Sequence, residues 1–162
     1  MATPRGVARI DVRSSQQMHD VVLPLASAHE VFVATAAVAD WRPVAAAAQK
    51  IKKAAGRAVP SFELTENPDI LAAVAALPQP PFCVGFAAES DDLARHARDK
   101  LQRKKVPLIV GNIGPATFGQ DHNALLLVDA QGQRELPGGG LRADKLALAR
   151  LLIADIAQRI AP

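Results

Sequence analysis

The stretch Phe82-Cys83-Val84-Gly85-Phe86-Ala87 decides the fold, because a short apolar run of this kind is typical of a buried strand. A polar, strongly charged segment follows, which is predicted to form a helix from Ser90 or Asp91 to about Lys105. A second apolar run, Leu108-Ile109-Val110-Gly111, comes next. Strand, helix and strand in this order predict an α/β domain with a largely parallel sheet.

The residues before this unit continue the same alternation. Ala8–Val12 and Glu30–Ala36 are predicted strands, and Ser14, followed three residues later by Gln17, predicts the start of a helix between them. The segment from Val38 to Gln49 has no clear period and is expected to form an irregular loop.

A second helix start lies in Asn67-Pro68-Asp69, which offers an N-cap residue, a proline for the first helical position and an acid for the first turn. This helix is predicted to run through Leu77, after a short strand at Phe62–Leu64.

The carboxyl-terminal part predicts two more features. Asn123–Val128 and Gln133–Leu136 are expected to pair as a β-hairpin, and Leu146 to Ile160 carries the apolar face of a final amphipathic helix. We therefore expect one domain over residues 1–162. Its predicted fold is a Rossmann-like, doubly wound, mostly parallel sheet with an appended hairpin. It would lack the first strand and glycine-rich turn with which such nucleotide-binding domains normally open.

Several classes of function are disfavoured by the residues present. The four histidines stand at spacings that make no metal site, and one cysteine excludes an internal disulfide and a Cys/His zinc cluster. Cys83 lies inside a predicted strand, which indicates a packed hydrophobic residue rather than a nucleophile. No apolar run approaches the roughly 20 residues of a membrane span, and the amino terminus has no signal-peptide core, so we expect a cytoplasmic protein.

The positive charge is clustered rather than spread. The formal net charge is +3 and the pI is near 9.4, and the basic residues fall into one group at Lys50–Arg57 and another at Arg95–Lys105. Nucleic-acid modules usually combine such charge with aromatic platforms, and this chain has one tryptophan, five phenylalanines and no tyrosine. A compact polyanion such as a nucleoside triphosphate fits better, with a solvated basic face as the alternative.

Five segments, in order and in register, carry a resemblance to a known family: Ala36-Ala37-Val38-Ala39-Asp40-Trp41-Arg42-Pro43, Lys50-Ile51-Lys52-Lys53, Asn67-Pro68-Asp69-Ile70-Leu71, Val84-Gly85-Phe86-Ala87-Ala88-Glu89, and Lys100 through Leu108-Ile109-Val110-Gly111-Asn112. Phe118-Gly119-Gln120-Asp121-His122-Asn123 is similar to that family's next motif. Together they resemble phosphopantothenoylcysteine synthetase, the ligase half of a bifunctional bacterial enzyme of coenzyme A synthesis.

The resemblance implies an activity, substrates and partners. The family activates the carboxylate of 4′-phosphopantothenate with CTP, giving an acyl-cytidylate and pyrophosphate, and the amine of cysteine then forms the amide. Mg²⁺ accompanies the triphosphate. The family also implies a homodimer and a fused decarboxylase domain that uses FMN, with the FMN site in that separate domain.

The resemblance also implies a set of site residues. Lys50 would be catalytic, closing over the triphosphate where charge develops on the α-phosphate. The nucleotide site would consist of Ala36, Asp40, Lys50, Pro68, Asp69, Ile70, Leu71, Phe86, Lys100 and Lys104. No metal ligand is assigned.

The residues themselves support these positions and leave alternatives open. Asp40 follows a strand, where open α/β sheets place ligands, and could take a ribose hydroxyl or a metal-bound water, or simply pair with Arg42. Lys100 and Lys104 are four residues apart and so share a helical face that could bracket a triphosphate, and their repulsion predicts that removing either charge leaves the melting temperature unchanged or higher. Lys50 could equally be a solvated lysine, and Phe86 a core residue rather than a stacking platform.

The most serious departure from the family pattern is at the front of the chain. Family members carry a first strand and a glycine-rich phosphate turn upstream of the equivalent of Thr3–Val12. We therefore expect the chain by itself to make little phosphopantothenoylcysteine. The alternative function is a non-catalytic nucleotide-binding or dimerisation fragment.

Overall fold

The structure, a computed structural model, describes residues 2–45, 49, 59, 61–89, 91–113 and 119–161. Its helices are α1 (Ser15–Ala26), α2 (Ile70–Ala75), α3 (Leu93–Lys104) and α4 (Lys145–Ile160). Its strands are β1 (Val31–Ala34), β2 (Trp41–Pro43), β3 (Leu64–Glu66), β4 (Phe82–Glu89), β5 (Leu108–Ile113), β6 (His122–Asn123), β7 (Leu125–Asp129), β8 (Gly132–Leu136) and β9 (Ala143–Asp144).

The central sheet has the strand order β1-β4-β5-β7-β8. β1, β4 and β5 pair in parallel, with Val33 opposite Val84 and Phe86 opposite Val110. β7 runs antiparallel to β5, and β8 completes the hairpin antiparallel to β7. Four of the five strands therefore run in one direction, so the predicted α/β fold with a mostly parallel sheet and an appended hairpin is confirmed.

Two apolar clusters cover the two faces of this sheet. One contains Cys83, Ala87 and Ile109, with residues of α1, α2 and α3 packed against them. The other contains Val84, Leu108 and Val110, with Leu148, Leu152 and Ile156 of α4. Successive side chains of β4 and β5 lie in opposite clusters, because neighbouring residues of a strand point to opposite faces of the sheet.

The α4 face is also held by charge. Asp155 is buried, accepts hydrogen bonds from Arg134 of β8 and Arg159, and so joins the helix to the hairpin. Arg159 also pairs with Asp129 at the hairpin turn, 2.7 Å away.

The predicted start of α1 is confirmed. The Ser14 hydroxyl accepts a hydrogen bond from the Gln17 N–H at 3.1 Å, and the Gln17 side chain accepts from the Arg13 N–H at 2.8 Å. The first contact satisfies an N–H group that the first turn of a helix leaves unpaired, and the second ties the preceding residue to that turn.

Four local predictions are wrong. Ala8–Val12 is exposed and forms no strand, because it has no partner strand among the described residues. The cap of α2 is Asp69 rather than Asn67, and α2 ends at Ala75 rather than Leu77, where the last turn tightens before the prolines. The expected irregular loop contains β2, which pairs antiparallel with β3.

Candidate functional site

A cleft of about 430 Å³ lies beside the carboxyl ends of β1 and β4. It is bounded by the loop between β1 and β2, by the turn and first residues of α2, and by the second half of α3. Ligands bind at the carboxyl ends of strands in open α/β sheets, so this is the expected place for a site. The lining includes every predicted site residue that the structure describes: Ala36, Asp40, Pro68, Asp69, Ile70, Leu71, Phe86, Lys100 and Lys104.

The first wall is the loop that follows β1, with Ala36, Val38, Ala39 and Asp40 on the cleft. Asp40 is exposed, so its carboxylate is accessible from the cleft. Among the described residues, Arg42 forms no ion pair with Asp40 and instead donates to the Glu66 carbonyl and to Asn67 Oδ1. The alternative in which Asp40 serves only to pair with Arg42 is therefore not what the structure contains.

The second wall is the start of α2. Asp69 Oδ1 accepts from the Ala72 N–H at 3.1 Å, which caps the helix. Leu71 packs over Gly85 of β4, where a Cβ would lie 2.6 Å from Leu71 Cδ2, so glycine at this position allows the helix to approach the sheet.

The third wall is the basic face of α3. Lys100 Nζ donates to the Phe86 carbonyl at 2.6 Å, and Lys104 Nζ donates to Asp69 Oδ2. Arg103 also lines the cleft and makes no hydrogen bond or ion pair with the other described residues. Three cations thus reach one cleft from about one turn of helix, and such a cluster attracts a polyanion.

The pKa values reflect this crowding of charge. Burial and, next, the charge of Lys104 lower the pKa of Lys100, because both disfavour its protonated form. Burial raises the pKa of Asp69, but hydrogen bonds from Lys104 and the Ala72 N–H outweigh it and hold that pKa below its usual value. Asp69 is therefore a carboxylate that balances part of the lysine charge.

Phe86 takes part through its backbone. Its half-buried side chain packs against the α4-side cluster, while its carbonyl accepts the hydrogen bond from Lys100. The side chain is thus packed as a partly buried core residue, which is the alternative that the sequence left open.

Asn67, which sequence analysis treated only as a helix cap, connects the walls. Its Nδ2 donates to the Ala39 carbonyl at 2.8 Å, and its N–H donates to the Asp40 carbonyl at 2.8 Å. Its Oδ1 accepts from Ser15 Oγ at 2.5 Å and from Arg42 at 3.2 Å. Because the Asn67 side chain is engaged in these hydrogen bonds, Asp69 rather than Asn67 caps α2.

Other predictions have different outcomes. Lys50, the predicted catalytic residue, lies outside the described residues, as does Phe118 of the sixth motif. Cys83 is buried, and burial raises its pKa, which confirms a packed residue. No group of three or more metal-binding side chains occurs in the described part of the chain, and none of its helices is long and apolar enough to cross a membrane.

Sequence reasoning missed Arg103 and Asn67 as cleft residues. The signal for Arg103 was available, because it lies three residues from Lys100 and so on nearly the same helical face. The role of Asn67 had no such signal, since its partners Ser15, Ala39 and Arg42 are far away in sequence.

Comparison with known proteins identifies relatives. The profile of the DNA/pantothenate metabolism flavoprotein C-terminal domain matches residues 1–160. The "Coenzyme A biosynthesis bifunctional protein CoaBC" of Vibrio cholerae is 47% identical over 141 residues, a match that covers 85% of this chain and 35% of the relative. The chain therefore spans about a third of the length of that curated relative.

Two solved structures have the same fold. The C-terminal domain of a coenzyme A biosynthesis bifunctional protein CoaBC aligns with a TM-score of 0.73 and 27% identity, over 99% of this chain and 69% of that one. A Cab2 variant in complex with phosphopantothenate-cysteine aligns with a TM-score of 0.64 and 19% identity, over 89% of this chain and 50% of that one.

Proposed function

Because the chain belongs to the family of the DNA/pantothenate metabolism flavoprotein C-terminal domain, we propose that it carries the nucleotide site of a phosphopantothenate–cysteine ligase of coenzyme A synthesis. The reaction would use CTP. The carboxylate of 4′-phosphopantothenate would attack the α-phosphate, pyrophosphate would leave, and the amine of cysteine would then attack the acyl carbonyl and release CMP.

The observation that carries this proposal is the composition of the cleft. Predicted residues from four motifs that are far apart in sequence line one space of about 430 Å³, within the range of small-molecule sites. The cations Lys100, Arg103 and Lys104 stand on one side of it and the exposed Asp40 on another. A nucleoside triphosphate matches this arrangement, because its triphosphate is anionic and its ribose carries hydroxyl groups that can donate to Asp40.

Each described side chain has a proposed task. Lys100 and Lys104 would hold phosphate oxygens, and the polyanion would replace the hydrogen bonds that they now make to Phe86 and Asp69. Asp40 would accept from a ribose hydroxyl. Lys50 would complete the site over the α-phosphate, where added positive charge stabilises the transition state.

The base would lie against the small side chain of Ala36 and the residues Pro68 to Leu71. Small side chains leave backbone groups accessible, and these can read the polar edge of a pyrimidine. Selectivity for CTP would follow from that contact.

The residues present fit Mg²⁺ as a companion of the nucleotide. Mg²⁺ usually keeps several waters and binds through one or two carboxylates together with substrate phosphates, so it needs no cage of protein ligands. Asp69 is paired with Lys104, so among the carboxylates that line the cleft Asp40 or Glu66 would hold the ion, Asp40 as the alternative to its contact with a ribose hydroxyl. When bound, the ion would neutralise phosphate charge.

The test is pyrophosphate release with CTP, 4′-phosphopantothenate and cysteine, with each substrate omitted in turn. We expect CTP to bind, and any pyrophosphate release that occurs to require phosphopantothenate. CTP binding without release in any mixture would favour the non-catalytic nucleotide-binding alternative. Absence of CTP binding would refute the nucleotide site itself.

Two larger-scale features belong to the same proposal. The relatives are bifunctional, so we propose that this domain works beside an FMN-dependent decarboxylase domain. We also propose a homodimer, which the family resemblance implies. Sedimentation of the 162-residue chain at several concentrations tests the dimer.

A further inference from the structure

Asn67 makes four hydrogen bonds that converge from three parts of the chain. It binds the loop after β1 at Ala39 and Asp40, the first turn of α1 at Ser15, and β2 at Arg42. It also directly precedes Pro68, with which the second wall of the cleft begins. The side chain therefore lies where the two walls meet.

We propose that Asn67 is a positioning residue, which sets the separation of the two cleft walls and holds the loop that carries Asp40. The part of this inference that concerns nucleotide rests on the proposed function. The part that concerns the loop alone does not rest on it, because that part depends only on the hydrogen bonds that join Asn67 to the loop.

The chemistry of the contacts requires an amide. The carbonyl of Ala39 needs a donor, while Ser15 Oγ and Arg42 Nη1 donate and need an acceptor. An asparagine offers both functions on one short side chain, whereas a carboxylate offers acceptors alone. An aspartate would still accept hydrogen bonds from Ser15 and Arg42, but it would place a charged oxygen against the Ala39 carbonyl.

The position of the loop matters for binding because the loop carries Asp40. Both carbonyls at the end of the loop are held by one residue, Asn67. Ala39 is bound by the Asn67 side chain and Asp40 by the Asn67 backbone, each at 2.8 Å. Loss of the first bond would release the loop beside Asp40 while leaving α2 capped by Asp69. Asn67 would therefore affect nucleotide binding through the position of Asp40.

The informative variant is Asn67→Asp, with Ser15→Ala as the matched control. Both lose one hydrogen bond of the same network, but only Asn67→Asp loses the bond to the loop. Hydrogen exchange of residues 36–42 and of β4, calorimetry with CTP, and thermal unfolding are compared among the wild type and the two variants.

We expect Asn67→Asp to accelerate exchange of residues 36–42 but not of β4, and to weaken CTP binding by about tenfold, the usual consequence of leaving a polar group unpaired. Ser15→Ala is expected to lower the melting temperature comparably, with CTP affinity within about twofold of wild type.

Unchanged exchange of residues 36–42 in Asn67→Asp would overturn the inference, as would equal CTP affinities of the two variants. If the wild type binds no CTP, the proposed function fails, and the exchange experiment alone then decides whether Asn67 holds the loop.

Discussion

Removing a positive charge from α3 should weaken nucleotide binding by an amount that depends on which residue is replaced, and the sequence does not suggest the ranking. Lys104 is engaged with Asp69, whereas Arg103 has no partner among the described residues. A triphosphate must therefore displace Asp69 before it gains Lys104, but it can bind Arg103 at no such cost. Arg103→Gln should do more damage than Lys104→Gln.

The magnitudes follow from the contacts. A hydrogen bond to a charged group contributes about 1.5 to 3 kcal/mol, so Arg103→Gln should weaken CTP binding about 10- to 150-fold. For Lys104, the partly exposed pair with Asp69 offsets about 1 kcal/mol of this gain. Lys104→Gln should then weaken binding about 2- to 30-fold.

The assay is calorimetric titration of CTP at fixed ionic strength, since salt screens such contacts. The matched control is Arg98→Gln, on the same helix but outside the cleft lining, where Arg98 contacts Gln133 at 3.3 Å. Equal losses for Arg103→Gln and Arg98→Gln would show that Arg103 contributes only through net charge. A larger loss for Lys104→Gln than for Arg103→Gln would refute the argument from the Asp69 pair.

Further consequences can be measured separately. Because burial and Lys104 lower the pKa of Lys100, a bound triphosphate should raise it again, so CTP binding should take up protons as the pH rises into the alkaline range. Calorimetry in buffers of different ionisation enthalpy measures this uptake, which should vanish in Lys100→Gln. Lys104→Gln should lower the melting temperature through loss of the pair with Asp69, in contrast to the expectation from lysine repulsion alone. Calorimetry with CTP, UTP, ATP and GTP should show tightest binding of CTP, and equal affinities would contradict reading of the base. Asp155→Asn should reduce the free energy of unfolding by about 1 to 3 kcal/mol in urea, with CTP affinity unchanged, because Asp155 pairs with arginines on the other face of the sheet.

Most of the fold could be predicted because its signals are local. The apolar runs of β4 and β5, the polar helix between them and the Ser14 cap each depend on neighbouring residues. Ala8–Val12 shows the limit of such signals. Its pattern suits a strand, but a strand forms only when a second strand is available to share its hydrogen bonds.

The candidate site was predictable only as a set of residue types. Motifs indicated which residues to consider, and helical spacing placed Lys100 and Lys104 on one face. The interactions of those lysines with the Phe86 carbonyl and Asp69 were not visible, because they join residues 14 and 35 positions apart.

The sequence by itself determined the alternation of β4, α3 and β5, the start of α1 and the chemical character of the cleft, since these depend on short-range spacing and composition. Tertiary structure alone decided that Asp69 caps α2, that Asn67 holds the loop at Ala39 and Asp40, and that Phe86 presents its carbonyl to Lys100. The physical reason is that a polar group takes whichever partner packing brings within hydrogen-bonding distance, and packing is a property of the whole sheet and its helices.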